Sequence, residues 1–218
     1  MFGQERKFKT NIVNKVQEEL IITGRGDNPL WQSATELSDF SYPWEQQTPP
    51  ITSFRALHNQ NRLYCFFQVK DDNVQVLVKS NHKSEVVFSD RVELFFRENE
   101  KMSPYYCLEI DPHGRIFDYE AVHYRQFNYN WTWPAGQLIV KSSINNDGYI
   151  VEILVSKKSL EALGLLKGNK IEAGLFRANC SKITDDNSQI KWISWAKPES
   201  SRADFHIPSA FGILELQD

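Results

Sequence analysis

Hydrophobic and polar residues alternate along much of the chain, and turn-forming residues separate the alternating runs. The run SDRVELFFREN places Val92, Leu94 and Phe96 on one side of a strand, because successive side chains of a strand point to opposite faces. The other side combines two arginines, a glutamate and a phenylalanine. The first side can fill a core. The second mixes charge with an aromatic ring, which a merely solvated face does not require.

Runs rich in β-branched and aromatic residues recur between turn signals, as is typical of a sandwich or barrel. They predict strands over residues 52–57, 62–70, 73–79, 90–96, 105–111, 116–122, 138–144, 149–155, 171–179, 190–195 and 212–216. One short helical connector is predicted in SKKSLEALGLLKGN, where serines can cap and glycines can stop a helix. KTNIVNKVQEEL fits a strand or a short helix and slightly favours a strand. We therefore predict an all-β protein, an antiparallel β-sandwich forming a single domain over residues 1–218.

Composition limits the classes of partner. The 218 residues carry a net charge of −3 with a pI near 6.0, and the 25 basic residues are scattered, so neither nucleic acid nor an anionic membrane is favoured. No run approaches the roughly 20 apolar residues of a membrane span, and the first residues lack the apolar segment of a secretion signal. We expect a soluble, unexported chain. Its three cysteines lack CxxC spacing and are expected to be reduced core thiols.

A candidate site follows from pairing two neighbouring strands. PYYCLEIDPHG comes soon after the first run and is expected to pair with it as an antiparallel hairpin. If their apolar sides meet in the core, Arg91, Glu93, Tyr105 and Glu109 share the opposite face. Carboxylates and arginine make charge-assisted hydrogen bonds to sugar hydroxyls, and flat rings cover the apolar face of a pyranose. The alternative is a solvated charge network worth about 0–1 kcal/mol per pair, and periodicity alone favours neither.

The C-terminal third adds charged and aromatic residues to this candidate site. Arg177 lies on an otherwise apolar strand and, if buried, needs partners such as Glu93 or Glu109. KWISWAKPESSRADFHIPSAFG adds rings in an irregular stretch, and the loop NYNWTWPAG adds tryptophans where exposed rings favour binding. The predicted ligand-binding residues are Arg91, Glu93, Tyr105, Glu109, Arg177, Trp133, Trp195, Phe205 and His206.

Five segments stand in a characteristic order along the chain: LYCFFQVKDD, DRVELFF, DGYIVEILV, WISW and DFHIPSAFGILEL. In this order they resemble the L-Y strand, the D-x-V-E strand, the G-Y-x-V-E strand, the I-S-W segment and the closing D-P-x-x-F-G signature of carbohydrate-binding module family 9. The resemblance spans residues 20–216. It implies a jelly-roll-like β-sandwich that binds a mono- or oligosaccharide without cleaving it and often accompanies a glycoside hydrolase. It also implies secretion or a periplasmic location.

The resemblance assigns roles to individual positions. The family's sugar-contacting acid falls on Glu93, its basic residue in the next strand on Glu109, and its later polar residue on Arg177. Its two clamping tryptophans fall on Val87 and Phe205, so neither tryptophan is present. The family also implies structural calcium in some members, and the matching strand end carries the two aspartates of LYCFFQVKDD, Asp71 and Asp72.

Two other functions stay open beside saccharide binding. A glycosidase would use Glu93 with Glu109 or Asp111 as acid and base, since two carboxyl groups about 5–9.5 Å apart are required. The arginines nearby disfavour a general acid, so a binding module is favoured over an enzyme. A haem-binding sandwich would need axial ligands, for which the chain offers Met102, His113, His123 and His206.

Overall fold

The computed structural model describes residues 8–185 and 187–218 and is almost entirely β-structure. Its strands are β1 (Thr10–Lys15), β2 (Glu36–Leu37), β3 (Thr52–His58), β4 (Arg62–Lys70), β5 (Arg91–Arg97), β6 (Tyr105–Ile110), β7 (Ile116–Val122), β8 (Gln126–Asn128), β9 (Leu138–Asn145), β10 (Gly148–Ser156), β11 (Leu166–Lys167), β12 (Lys170–Thr184), β13 (Asn187–Ser194) and β14 (Gly212–Leu216). The predicted helical connector is the six-residue helix α1 (Lys157–Ala162). None of the helices in these residues is long and apolar enough to cross a membrane.

The strands form one curled, mixed sheet consistent with a β-sandwich. Its order is β8-β7-β6-β5-β12-β14-β1-β3-β4-β10-β9, with β13 on β12. The first four residues of β1 run parallel to β14 and its last two residues run parallel to β3, so β1 joins the two halves of the sandwich. The all-β class is confirmed. The predicted antiparallel pairing is found in most strand pairs, but not at β1, which pairs in parallel with both of its neighbours.

The main core lies between the two halves of the sheet. The apolar sides of β5 and β6 enter it together, as the alternation predicted, with Val92, Leu94 and Phe96 beside Tyr106, Leu108 and Ile110. The opposite half contributes β3, β4 and β10 residues such as Phe54 and Phe67. All three cysteines are buried and free, as expected.

A second apolar layer covers the outer face of β5, β6, β7 and β12. Phe95, Tyr105, Cys107 and Tyr119 point outward from the sheet and are buried by the segment that precedes β14, including Phe205 and Phe211. This covering segment turns the outer face of the β5–β6 hairpin from a solvated surface into a largely enclosed one.

The strand predicted over residues 73–79 is wrong. Alternate amides there donate to side chains of the following segment: Gln75 to Asp90, Leu77 to the Ser89 hydroxyl and Lys79 to Glu85. The chain is extended and its apolar alternation is real, but these side chains take the hydrogen bonds that a neighbouring strand would have supplied.

Candidate functional site

Two carboxylates and one guanidinium meet on the outer face of β5 and β6. Glu93 and Glu109 stand directly opposite each other in the antiparallel ladder. Arg91 lies two residues before Glu93 on the same face, and its Nε is 2.9 Å from Glu93 Oε1 and 2.6 Å from Glu109 Oε2. The alternation of β5 and the register with β6 therefore bring these three predicted residues together.

The charged group is enclosed rather than solvated. Arg91, Glu93 and Glu109 are 4%, 2% and 6% exposed, which rules out the alternative of a solvated network. The Arg91 Nη1 donates to the Val87 carbonyl at 2.8 Å, and the Tyr119 hydroxyl donates to Glu109 Oε1 at 2.8 Å. Arg91 Nε, Glu93 Oε1 and Glu109 Oε2 are therefore held to one another by close ion pairs.

Burial changes the protonation of the acidic pair. Desolvation, followed by the facing charge of Glu109, raises the pKa of Glu93 to about 8, although Arg91 opposes the shift. Near neutral pH, Glu93 is therefore mostly protonated. In this state its carboxyl group can both donate and accept a hydrogen bond.

A narrow cleft of about 120 Å³ leads from solvent to this charged group. Its walls are formed by side chains from three other parts of the chain: Arg125, Trp192, Asp204, Phe205 and His206. Asp204 accepts from Arg125 Nη1 at 3.0 Å and from the His206 amide at 2.9 Å, which ties the covering segment to the loop before β8.

Trp192 reaches the cleft across a small residue. Arg91, Ala178 and Trp192 stand side by side on β5, β12 and β13. Because Ala178 is small, the Trp192 ring extends over it to the Arg91 guanidinium, whose carbon is 5.3 Å from the ring centroid. Trp192 is not among the predicted site residues, because its place beside Arg91 depends on the β12–β13 register.

The predicted rings Phe205 and His206 line the cleft, but both are held by neighbours. Phe205 is 5% exposed and stacks on Phe176 with centroids 4.0 Å apart. The Tyr105 hydroxyl lies 3.0 Å from His206 Nδ1. Burial, then the charge of Arg125, lowers the pKa of His206 to about 4, so its ring is neutral and can accept this hydrogen bond. Tyr105 itself is fully buried and supports the wall from behind.

Comparison with known proteins places the chain in a family. The family model described as carbohydrate family 9 binding domain-like matches residues 22–218. The chain belongs to this family of carbohydrate-binding domains. No curated protein matches it.

Solved structures share the fold of this family 9-like domain. A candidate carbohydrate-binding protein from Bacteroides uniformis has 18% identity and a TM-score of 0.72, with 97% of this chain and 100% of the other covered. A family 9 module from Caldicellulosiruptor kristjanssonii in complex with glucose has 15% identity and a TM-score of 0.63, with 96% of each chain covered. The same kind of module in complex with cellotriose has 16% identity and a TM-score of 0.63, with 96% and 94% covered.

The prediction that Arg177 joins Glu93 and Glu109 is wrong for this family 9-like domain. Arg177 pairs with Val92 in the β5–β12 ladder, so it points to the core side, while the outward neighbours of the charged group are Phe176 and Ala178. Its Nη2 binds Asp71 Oδ2 at 2.6 Å, and the side chain is fully buried. Arg177 is therefore a structural ion-pair partner on the other side of the sheet.

Trp133 and Trp195 do not line the cleft. Trp133 is 5% exposed in the main core and its Nε1 donates to Ser159 Oγ at 3.1 Å. Trp195 is 2% exposed in the same core, and a Cβ on Gly212 would come within 2.5 Å of its ring. Their predicted role in stacking a ligand is wrong, because both rings fill space between the two halves of the sheet.

Asp71 and Asp72 do not fit the calcium site that the resemblance implies. One oxygen of Asp71 binds Arg177, and the other accepts from the Asn73 amide at 2.9 Å. Asp72 is exposed in the turn. Within residues 8–185 and 187–218, no cluster of three or more His, Cys, Asp or Glu could hold a metal.

The residues named for the other two functions are poorly placed for them. Asp111 is fully buried, and its carboxylate is bound by Arg115 Nη2 at 2.7 Å. Met102 is fully buried in the second apolar layer, whereas His113 and His123 are exposed. These side chains do not converge on a common cavity, which a pair of axial haem ligands would require.

Proposed function

We propose that this domain binds a saccharide without cleaving it, and that hydroxyl groups of the sugar enter the cleft above Arg91, Glu93 and Glu109. One observation carries the proposal: a guanidinium and two carboxyl groups, only 4%, 2% and 6% exposed, meet at the floor of a cleft that opens to solvent. Charged groups are rarely buried to this degree, and such a cluster in a cleft indicates a place for a polar ligand. The protonated Glu93 and the Tyr119-oriented Glu109 give the floor both a donor and acceptors.

The charge of the cleft favours a neutral sugar. Two arginines, Arg91 and Arg125, line the cleft beside three acidic groups, Glu93, Glu109 and Asp204, and the raised pKa of Glu93 reduces the excess of negative charge. A ligand with its own charge would bring an unbalanced charge into a poorly hydrated space, which costs free energy. The glucose and cellotriose complexes of the Caldicellulosiruptor modules contain uncharged ligands of this class.

The same geometry argues against glycoside hydrolysis. An inverting glycosidase needs its two carboxyl groups about 6.5–9.5 Å apart with a water between them, and a retaining one needs them about 5–5.5 Å apart with the scissile bond between them. Here one nitrogen atom, Arg91 Nε, contacts oxygens of both Glu93 and Glu109. The guanidinium thus occupies the space in which the scissile bond or the attacking water would lie.

The setting of the domain is part of the proposal. We propose that the domain works beside a glycoside hydrolase on exported machinery and that the finer topology is a jelly roll, because members of family 9 are built and used in this way. Co-purification of the protein from its native source with a polysaccharide-degrading enzyme would support the partner. Recovery of the protein from the cytoplasm alone would contradict the location.

Isothermal titration calorimetry tests the binding function. The probes are glucose, xylose, mannose and galactose, each with its β-1,4-linked disaccharide and trisaccharide. We expect at least one series to bind, and Glu109→Gln to weaken that affinity about 10- to 100-fold, the range for a hydrogen bond to a charged group. Glu18→Gln, an exposed site outside the cleft, is the matched control and should bind normally.

The proposal fails if the wild-type protein binds none of these sugars, or if Glu109→Gln binds as tightly as the control. Circular dichroism checks that Glu109→Gln is folded. If it is not, Trp192→Ala replaces it, since this half-buried wall residue lies over Arg91 and its removal should also weaken binding.

A further inference from the structure

The cleft is smaller than the ligands that its family context indicates. Binding sites for drug-sized ligands measure about 300–1,000 Å³, whereas this cleft has about 120 Å³. It can admit the hydroxyl edge of one sugar residue. The remaining residues of an oligosaccharide must therefore lie outside the cleft, against the surface next to its mouth.

Three aromatic rings form a shelf on that surface. Phe117 stands beside Glu109 in the β6–β7 ladder, Phe127 lies on β8, and Tyr129 follows β8 directly. Tyr129 lies between the two phenylalanines, with centroids 5.4 Å from Phe117 and 5.5 Å from Phe127 and ring planes inclined by only 27° and 21°. We call these three residues the aromatic shelf.

Tyr119 and His206 connect the aromatic shelf to the cleft. The Tyr119 ring packs edge-on against both Tyr129 and Phe127, at 5.4 and 5.6 Å, while its hydroxyl holds Glu109 in the cleft floor. The Phe127 ring is 4.9 Å from His206, a wall residue of the cleft. The shelf and the cleft are thus parts of one continuous surface.

The aromatic shelf is both exposed and rigidly supported. Tyr129 is 50% exposed, whereas Phe117 beneath it is 7% exposed. No hydrogen bond of the Tyr129 hydroxyl is present in the described structure, and three ring contacts fix its plane. A ring already held in place loses little conformational entropy when a ligand stacks on it. The core does not require an aromatic residue at this exposed position.

We propose that the aromatic shelf is a second subsite, in which Tyr129 stacks against the sugar residue next to the one held in the cleft. The ligand class is therefore a neutral oligosaccharide of at least two units. This inference rests on the proposed function, because the shelf offers a single polar group, the Tyr129 hydroxyl, whereas the cleft holds the charged groups that can orient a sugar.

The test compares a monosaccharide with its own trisaccharide in calorimetry, using the sugar series that binds the wild-type protein. We expect the trisaccharide to bind more tightly than the monosaccharide. Tyr129→Ala should weaken trisaccharide binding about 3- to 10-fold, the range for the loss of one aromatic contact, and leave monosaccharide affinity unchanged. Tyr129→Phe keeps the ring and should bind both sugars normally. Tyr129→Leu keeps apolar bulk without a flat ring and should behave like the alanine variant.

The possible outcomes separate this inference from the proposed function. The shelf is overturned if the wild-type protein binds both sugars with equal affinity, or if Tyr129→Ala weakens the binding of both sugars equally or of neither. The proposed function stands in these cases as long as Glu109→Gln still weakens binding at the cleft. Loss of trisaccharide affinity in Tyr129→Phe assigns the effect to the hydroxyl and overturns the stacking role. A wild-type protein that binds no sugar overturns the proposed function and the shelf together.

Discussion

Glu93→Gln should make the stability of the protein less dependent on pH. Glutamine has the shape of a protonated glutamate and cannot ionise. Glu93 is 2% exposed, and its pKa is raised to about 8 by burial and by Glu109, against the opposing charge of Arg91. The other titratable side chains beside it are Cys107 and Tyr119, whose pKa values burial raises further above neutrality.

The sign and the magnitude follow from proton linkage. The pKa of the carboxyl group is 4.5 in the unfolded chain and about 8 in the fold, so between these values the folded state binds more protons. Stability is then greatest below about pH 4.5 and falls as the pH rises through 8. Each tenfold change in proton affinity is worth about 1.4 kcal/mol, so the total loss from this group is at most about 5 kcal/mol.

Urea unfolding at a series of pH values from 5 to 9 measures this effect. Other groups also titrate in this range, such as Asp90, whose pKa burial raises to about 7. The informative quantity is therefore the difference in unfolding free energy between Glu93→Gln and wild type. We expect that difference to grow in favour of the variant by several kcal/mol as the pH rises to 8 and then to level off. A difference that stays constant from pH 5 to 8 would refute the reasoning, and Glu18→Gln should show such a constant difference.

Three further predictions concern residues outside the cleft. Arg177→Met should lower the unfolding free energy by about 3–5 kcal/mol, because it leaves Asp71 without its ion-pair partner. Saccharide affinity should not change, and unchanged stability in chemical denaturation would contradict the structural role of Arg177. Glu152→Gln should lower the unfolding free energy by about 1.5–3 kcal/mol in the same assay, since this fully buried carboxylate accepts hydrogen bonds from the Thr23 and Gly24 amides and the Trp31 indole. An unchanged unfolding free energy would show that these hydrogen bonds are not formed. Trp133→Ala should cost about 3–5 kcal/mol through the cavity it leaves, and a loss of sugar affinity in a folded Trp133→Ala variant would return this ring to the binding site.

Much of the fold could be predicted because the two sides of several strands differ in residue type. In β5, charged residues mark one side and aliphatic residues the other, so the alternation gives both the strand and its orientation. The neighbouring strand β6 shows the same kind of difference between its two sides. The pairing of Arg91, Glu93 and Glu109 followed from these two patterns and a short turn between them.

The same approach failed on β12, where both sides of the strand carry mainly apolar residues around Arg177. Leu175 packs in the main core and Phe176 in the second apolar layer, so residue type alone does not show which side of β12 faces which layer. Arg177 was therefore assigned to the wrong side. Its true partner, Asp71, is more than a hundred positions away, and no local pattern specifies such a pairing.

The sequence by itself determined the all-β class, most of the strands and the charged group at the centre of the candidate site, because strand alternation and hairpin pairing depend on neighbouring residues. The tertiary structure decided that the charged group is buried, since the covering segment that includes Phe205 comes from a distant part of the chain. It also decided which rings surround the cleft. Trp192 reaches it over Ala178, and Tyr129 is exposed beside it, because the register and packing of separate strands place them there. Burial and long-range register are properties of the folded whole, and a local pattern does not contain them.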